Sequence, residues 1–90
     1  MGYPNLAKYA EFEMAIRKVG EQNLKSYVVS KGHKPEYFDR NMKIIKYTFQ
    51  HGTHAASKIF HVSSSYPSTI TYLYGRLAVE LAEIMDKDKQ

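Results

Sequence analysis

The 90-residue chain contains no cysteine and no tryptophan, and its apolar residues never form a run long enough to span a membrane. Without cysteine, no disulfide can stabilise the fold, and nothing in the composition indicates an oxidising compartment. A membrane-spanning helix needs about 20 mostly apolar residues, and the N-terminal segment lacks the apolar core of a signal peptide. We therefore expect one cytoplasmic domain over residues 1–90, without membrane contact.

Acidic residues are missing from the middle of the chain. Residues 40–79 contain five Lys or Arg and three His but no Asp or Glu, whereas the segments on both sides carry all nine acids. A segment without carboxylates can face phosphate groups without local repulsion. This distribution favours nucleic-acid binding, and the alternative is that the gap arises by chance or reflects burial.

Apolar periodicity predicts two helices in the first third of the chain. The first is expected to start at Pro4 or Asn5 and to end near Val19, before Gly20. Its apolar face is spaced 3-4-3 along the sequence and consists of Tyr9, Phe12, Ile16 and Val19. Residues 22–29 fit a second, short helix, although the run 27–29 is also β-prone.

Three more helices are expected after Pro35. The first carries an apolar face at 4-3-4 spacing (Phe38, Met42, Ile45 and Phe49) and ends at Gly52. A short helix over residues 54–61, with Thr53 as its N-cap, is followed by a polar turn at residues 63–65. The last helix is expected to start near Pro67 and to run to about Met85. Its predicted inward face consists of Ile70, Leu73, Leu77, Leu81 and Ile84. The sequence thus predicts a small all-α domain of four to five helices.

Residues 52–77 have the organisation of a helix-turn-helix, in which a short helix and a polar turn precede a helix rich in Ser, Thr and Tyr. In the commonest pattern, about five positions separate the Val or Ile after the first helix from the first core residue of the second. Val62 and Ile70 are eight positions apart, so the turn is about three residues longer. A plain αα-hairpin in a small bundle would show the same periodicity and is the alternative.

Residues 43–77 resemble the PapB-type regulators of adhesin (pilus) biosynthesis in enteric bacteria. The matching residues are Gly52, Lys58, Phe60-His61-Val62, Ser63-Ser64-Ser65, Tyr66-Pro67-Ser68-Thr69, Leu73 and Gly75-Arg76-Leu77. The resemblance implies a sequence-preferring DNA-binding transcriptional regulator, acting as a repressor or autoregulator. It further implies an oligomer on AT-rich promoter sites and a nucleoid-associated location. The regulated genes would be pilus, plasmid or phage genes.

Candidate DNA-binding residues follow from the predicted inward face of the last helix, because the opposite face is left for a partner. On or beside that opposite face lie Ser68, Thr69, Thr71, Tyr72 and Arg76. Hydroxyl groups contact phosphates or base edges, and an arginine pairs bidentately with guanine. For Arg76 the alternative is an i,i+4 pair with Glu80.

The turn and the preceding helices supply the remaining candidates. Ser63, Ser64 and Ser65 place hydroxyls and backbone N–H groups at a helix N-terminus, where anions bind readily. His54 and Lys58 lie on the outer side of the supporting helix and are expected to meet phosphates. Possible further phosphate contacts are Arg40, Lys43 and Lys46, for which a solvated face is the alternative. Tyr66 is expected to pack beneath the turn.

Aromatic residues are abundant, with eight Tyr and four Phe. Tyr is common at interfaces because it buries a large area and keeps one polar end. Residues 1–30 are therefore predicted to form a self-association surface, giving a homodimer or a higher homo-oligomer that supports a small core. Its contact residues would be Tyr9, Phe12, Ile16 and Tyr27, and the alternative is that these rings complete the monomer core.

No catalytic or metal-binding pattern is present in the sequence. The histidines at 51, 54 and 61 have no Cys and no nearby acid to complete a four-ligand zinc site. The three serines lack both a nearby Asp and the Gly-x-Ser-x-Gly elbow of a hydrolase. We expect no enzymatic activity, metal, cofactor or small-molecule ligand. The alternative function is a helical interaction module that binds a polymerase subunit or another regulator.

Overall fold

The computed structural model describes the backbone of residues 6–88 and the side chains from Lys8 onward, and this part of the chain is helical without any strand. The elements are α1 (Leu6–Val19), α2 (Glu21–Ser30), a 3₁₀ turn (Pro35–Tyr37), α3 (Phe38–His51), α4 (Thr53–Ile59) and α5 (Tyr66–Asp88). The all-α prediction is confirmed, and so is the helix over residues 22–29. The expected helix start at Pro4 or Asn5 lies outside the described residues.

Glycines divide the helices where the sequence predicted. Gly20 separates α1 from α2 with φ 85°, and Gly52 separates α3 from α4 with φ 91°. Both angles lie in the region that glycine adopts without steric cost. Each glycine donates its N–H to the preceding helix, Gly20 to the Ile16 carbonyl at 2.9 Å and Gly52 to the Thr48 carbonyl at 2.8 Å.

The long helix α5 runs through the centre, and the other helices pack along it. α1 runs in the same direction as α5, because Tyr9 contacts Tyr72 near the start of both helices and Lys18 contacts Asp86 near their ends. α2 covers the second half of α5, and α3 covers the first half. Each half of α5 is thus held by a different neighbour in addition to α1.

The predicted inward face of α5 is confirmed at Ile70, which is buried, and is wrong for Leu73 and Ile84. Leu73 is 38% exposed and Ile84 is 42% exposed, while Leu77 and Leu81 are only half-buried. The buried face consists of Pro67, Ile70, Thr71, Tyr74, Gly75, Ala78 and Ala82. α1 approaches this face so closely that a methyl group at Gly75 would overlap the ring of Phe12. A close crossing selects small residues, so Gly75, Ala78 and Ala82 face α1 and the core, while Leu73 and Ile84 do not.

Most of the predicted self-association residues are used inside the monomer. Tyr9, Phe12 and Ile16 are buried. The ring of Tyr9 meets Phe49 edge-on with centroids 5.8 Å apart, and that of Phe12 meets Tyr72 at 5.2 Å. These three side chains complete the core, as the alternative interpretation held, and they are not available to a second copy. Tyr27 is half-buried against α5.

Candidate nucleic-acid interface

The short helix α4 ends abruptly because His61 adopts a left-handed backbone conformation. Its φ is 55°, the only positive φ outside glycine in residues 6–88. Histidine is among the residues that enter this region more often than most. The Val62 N–H donates to the Ser57 carbonyl at 3.1 Å across His61, which is the six-to-one bond of a Schellman motif. α4 therefore stops at Ile59, two residues before the predicted end.

Six residues, 60–65, connect α4 to α5, compared with the three or four of the common helix-turn-helix. Ser63, Ser64 and Ser65 are exposed within this connection. The Ser63 carbonyl accepts the Tyr66 N–H at 3.1 Å, and the Ser65 carbonyl accepts the Thr69 N–H at 3.0 Å. The backbone of the connection is therefore ordered by its own hydrogen bonds, while the three exposed serine hydroxyls make no hydrogen bond among the described residues.

A buried polar contact fixes the start of α5 against α3. The Tyr66 hydroxyl donates to Asn41 Oδ1 at 2.7 Å, and Asn41 Nδ2 donates to the Tyr74 hydroxyl at 3.0 Å. Phe38 stacks on Tyr74 with ring centroids 5.6 Å apart. Burial raises the pKa of the Tyr74 hydroxyl, and the hydrogen bond with Asn41 opposes that shift. Tyr66 thus packs as expected, beneath the connection.

Sequence reasoning missed Asn41. The available signal was a polar residue in register with the apolar face of α3, between Phe38 and Ile45. Buried amides are almost always hydrogen-bonded, so an Asn at such a position predicts polar partners elsewhere in the core. Its partners lie 25 and 33 residues away along the chain, and no local pattern identifies them.

Only part of the predicted reading face of α5 faces outward. Thr71 is fully buried, and its hydroxyl donates to the Pro67 carbonyl at 2.7 Å, so it is not available to DNA. Tyr72 is half-buried between Tyr9 and Phe12 on α1.

Ser68, which is also half-buried, faces α1 as well. Burial raises the pKa of the neighbouring Tyr9 hydroxyl, and the Ser68 side chain opposes that shift. Thr69 and Arg76 are exposed on α5, and the Thr69 hydroxyl donates to the Ser65 carbonyl at 2.9 Å.

Arg76 lies close to Glu80 without forming an ion pair with it. The pKa of the Glu80 carboxyl is lowered mainly by a hydrogen bond from the Tyr27 hydroxyl, and the charges of Lys31 and Arg76 add to this effect. Lys31 Nζ is 3.5 Å from the same carboxylate oxygen. Tyr27 of α2 and Lys31, which follows α2, therefore engage the carboxylate that the alternative interpretation paired with Arg76.

Ion pairs are distributed unevenly over the surface. Four pairs lie wholly outside the acid-free segment, namely Lys8–Glu11, Arg17–Glu13, Lys18–Asp86 and Lys31–Glu80. Within residues 40–79, Lys46 pairs with Glu21 of α2, so its charge is already engaged. The other four cations of this segment have no ion pair among the described residues: Arg40, Lys43, Lys58 and Arg76.

The remaining candidates lie at the surface beside the hairpin. His54 and Lys58 are exposed on α4, and the His54 carbonyl accepts the Ser57 hydroxyl at 2.8 Å. Arg40 Nη2 lies 3.4 Å from the Phe60 carbonyl at the end of α4. Cations favour helix C-termini, so Arg40 is placed beside the connection and helps to end α4.

Across residues 6–88, no three histidine or acidic side chains are grouped closely enough to hold a metal ion. The same range contains no helix that is long and apolar enough to cross a membrane. No protein-family model, no curated protein and no solved structure matches this chain.

Proposed function

We propose that this chain is a sequence-preferring, DNA-binding transcriptional regulator that contacts duplex DNA through α4, the connection and the first half of α5. One observation carries the proposal: Lys58 and Arg76 have no acidic partner within the described residues, and they flank three exposed serines in a segment without Asp or Glu. Such cations attract phosphate, and the carboxylates nearest to Arg76 are those of Glu11, Glu80 and Glu83, which line the groove on the α1 side of α5.

The position of Glu80 supports a role for Arg76 in binding. An i,i+4 pair with Glu80 would have occupied the guanidinium. Because Tyr27 and Lys31 engage the carboxylate from α2, Arg76 keeps its donors for another acceptor. A bidentate arginine–guanine pair discriminates against other bases by about 1–3 kcal/mol.

The exposed residues fall into two groups, one placed for base contacts and one for phosphate contacts. Thr69 and Arg76 lie on the outer face of α5, where side chains reach base edges. The hydroxyls of Ser63, Ser64 and Ser65, together with Lys58 on α4, contact phosphates and set the register. His54 adds a donor on the same helix as Lys58.

The resemblance of residues 43–77 to the PapB-type regulators supports the same proposal and extends it. On this basis the protein acts as an oligomer at AT-rich promoter sites, as a repressor or autoregulator associated with the nucleoid. The burial of Tyr9, Phe12 and Ile16 in the monomer means that any contact between copies uses other residues.

Fluorescence anisotropy on duplexes, measured over a salt series, tests the proposal. AT-rich promoter fragments are compared with mixed-sequence duplexes of equal length. If Lys58 at a phosphate and Arg76 at a base edge each bring one positive charge to the duplex, and each charge releases as many counterions as one phosphate contact, the logarithm of the association constant falls with the logarithm of salt concentration with a slope of about −1.8 per chain. An absence of binding to any duplex at 50 mM salt contradicts the proposal.

A pair of variants tests the placement of the reading helix. Arg76→Ala is expected to weaken binding to a preferred duplex by roughly 5- to 150-fold, the equivalent of about 1–3 kcal/mol. Lys18→Ala is the matched control, because Lys18 lies near the end of α1 and pairs with Asp86 at the far end of α5. Lys8 is less suitable, since it lines the same surface groove as Ser68 and Thr69. Equal losses for Arg76→Ala and Lys18→Ala would show that α5 does not read the DNA.

A further inference from the structure

A second surface without acidic partners lies on α3, outside the hairpin. Arg40, Lys43, Tyr47 and His51 follow one another at 3-4-4 spacing, which places them on one side of the helix. We call these four residues the α3 outer face. Arg40, Lys43 and His51 are exposed and Tyr47 is half-buried, whereas the opposite side of α3 is packed in the core.

The α3 outer face is joined to the end of α4 by direct contacts with one residue, Phe60. Arg40 Nη2 lies 3.4 Å from the Phe60 carbonyl, and the ring of Tyr47 meets the Phe60 ring edge-on with centroids 5.9 Å apart. The His51 ring lies 4.4 Å from that of Tyr47. The face therefore continues without a break into the connection that carries the exposed serines.

The two lysines of α3 differ in whether they have an ion-pair partner. Lys46 pairs with Glu21 of α2. Lys43, one turn earlier, has no ion pair in residues 6–88, even though Asp39 precedes it by four positions. The helix thus uses one lysine to hold α2 in place and presents the other, together with Arg40, at the surface.

We propose that the α3 outer face is a second contact with the phosphate backbone of the same duplex that the hairpin reads. Arg40 and Lys43 each neutralise a phosphate, and Tyr47 donates its hydroxyl to a phosphate oxygen. From Arg40 to His51 the face is roughly 16 Å long at 1.5 Å per residue. This length exceeds the spacing of neighbouring phosphates on one strand. The inference rests on the proposed DNA-binding function.

This second contact changes the expected salt dependence. The hairpin cations alone predict a slope of about −1.8 per chain, and two more phosphate contacts steepen it to about −3.6. Between 50 and 200 mM salt, the first slope corresponds to a loss of affinity of about 12-fold and the second to about 150-fold. The two binding modes are therefore separated by a single titration of the full chain.

Lys43→Gln and Lys46→Gln form a matched pair on the same helix. Lys43→Gln is expected to make the slope shallower by about 1 and to lower the affinity by about five- to tenfold at 0.1 M salt. The loss should be equal for preferred and mixed-sequence duplexes, because phosphate contacts carry no direct sequence information. Lys46→Gln should leave the slope unchanged.

The outcomes separate this inference from the function on which it rests. If the wild-type chain binds DNA and Arg76→Ala weakens it, but Lys43→Gln keeps the wild-type slope, the α3 contact is overturned and the hairpin contact stands. Equal changes for Lys43→Gln and Lys46→Gln also overturn it. If the wild-type chain binds no duplex at 50 mM salt, both proposals fall. Circular dichroism confirms that each variant, altered at an exposed position, keeps its helices.

Discussion

The two halves of α5 are held in place by different kinds of interaction. Residues 66–75 are anchored from inside, where Asn41 bonds to Tyr66 and Tyr74 in and beside the core. Residues 76–88 bury Ala78 and Ala82, and their polar contacts with neighbouring helices lie at the surface, where Lys18 pairs with Asp86 and Lys31 pairs with Glu80. The polar contacts of the same helix are therefore made by buried amide and hydroxyl groups in one half and by exposed charges in the other.

This difference has a consequence for what each half can bind. In the second half of α5, Glu80 and Asp86 are paired with lysines, while Glu83 and Asp88 are exposed acids with no ion pair among the described residues. This half therefore presents negative charge to a partner. The buried anchor of the first half involves no charged side chain, and Arg76 at its boundary has no ion pair among residues 6–88. Internal anchoring thus leaves the outer surface of the first half free for an acidic ligand.

The largest effect on stability is expected for Phe12 of α1, the helix that packs along both halves of α5. Phe12→Ala removes the ring that packs against Gly75 and Tyr72 and should lower the free energy of unfolding by about 3–5 kcal/mol. Met14→Ala is the matched control on the same helix, because Met14 is 72% exposed and its loss should change stability by less than about 0.5 kcal/mol. Urea denaturation measures both, and similar values would mean that α1 does not pack as described.

The buried anchor of the first half should matter less than Phe12 but more than any surface pair. Asn41→Ala leaves the Tyr74 hydroxyl without its donor and should cost about 1–3 kcal/mol. Hydrogen exchange should quicken more over residues 66–75 than over residues 76–88. Asn23→Ala is the control, because the Asn23 amide bonds to the Val19 carbonyl from an exposed position. Uniform acceleration along α5 would argue against two separately anchored halves.

The surface pairs of the second half should contribute little. A double-mutant cycle with Lys18→Ala and Asp86→Ala should give a coupling of about 0.2–1 kcal/mol, as for other exposed ion pairs. Because salt screens exposed charges, the coupling should disappear near 1 M salt, where the effect of Asn41→Ala persists. A coupling unaffected by salt would contradict the assignment of this half to surface electrostatics.

The smallest expected effect is the pH dependence associated with Glu80. Its pKa is lowered in the folded state, chiefly by the hydrogen bond from Tyr27. Its contribution to stability is therefore present above the pKa of the unfolded state, near 4.5, and is lost as pH falls through the lower folded value. The difference in urea midpoint between wild type and Glu80→Gln should be greatest at pH 7 and shrink by pH 3. A difference that grows on acidification would reverse the sign of the shift.

The helices could be predicted from the sequence because their boundaries are local. Gly20 and Gly52 end helices because each adopts a positive φ, and Pro35 starts a helical turn. No long-range contact is needed to place these boundaries. The orientation of α5 could not be predicted in the same way. Its large aliphatic residues suggested one inward face, but the close approach of Phe12 at Gly75 selected another.

The candidate site was predicted only in part for the same reason. The hairpin and the absence of Asp and Glu from residues 40–79 are properties of a continuous segment. The engagement of Lys46 by Glu21, and of Glu80 by Tyr27, joins residues 25 and 53 positions apart. Such pairs decide which charges remain for a ligand, and no periodicity in the sequence reveals them.

The backbone angle at His61 also limits which sequences can keep this architecture. A φ of 55° is reached without steric cost by glycine, is tolerated by Asn, Asp and His, and is strained for β-branched residues. Among amino-acid substitutions of His61, those to Gly, Asn and Asp should be the ones that preserve the angle between α4 and α5. The fold thus tolerates Gly, Asn, Asp or His at position 61 and disfavours Val, Ile and Thr there, whatever ligand the surrounding surface binds.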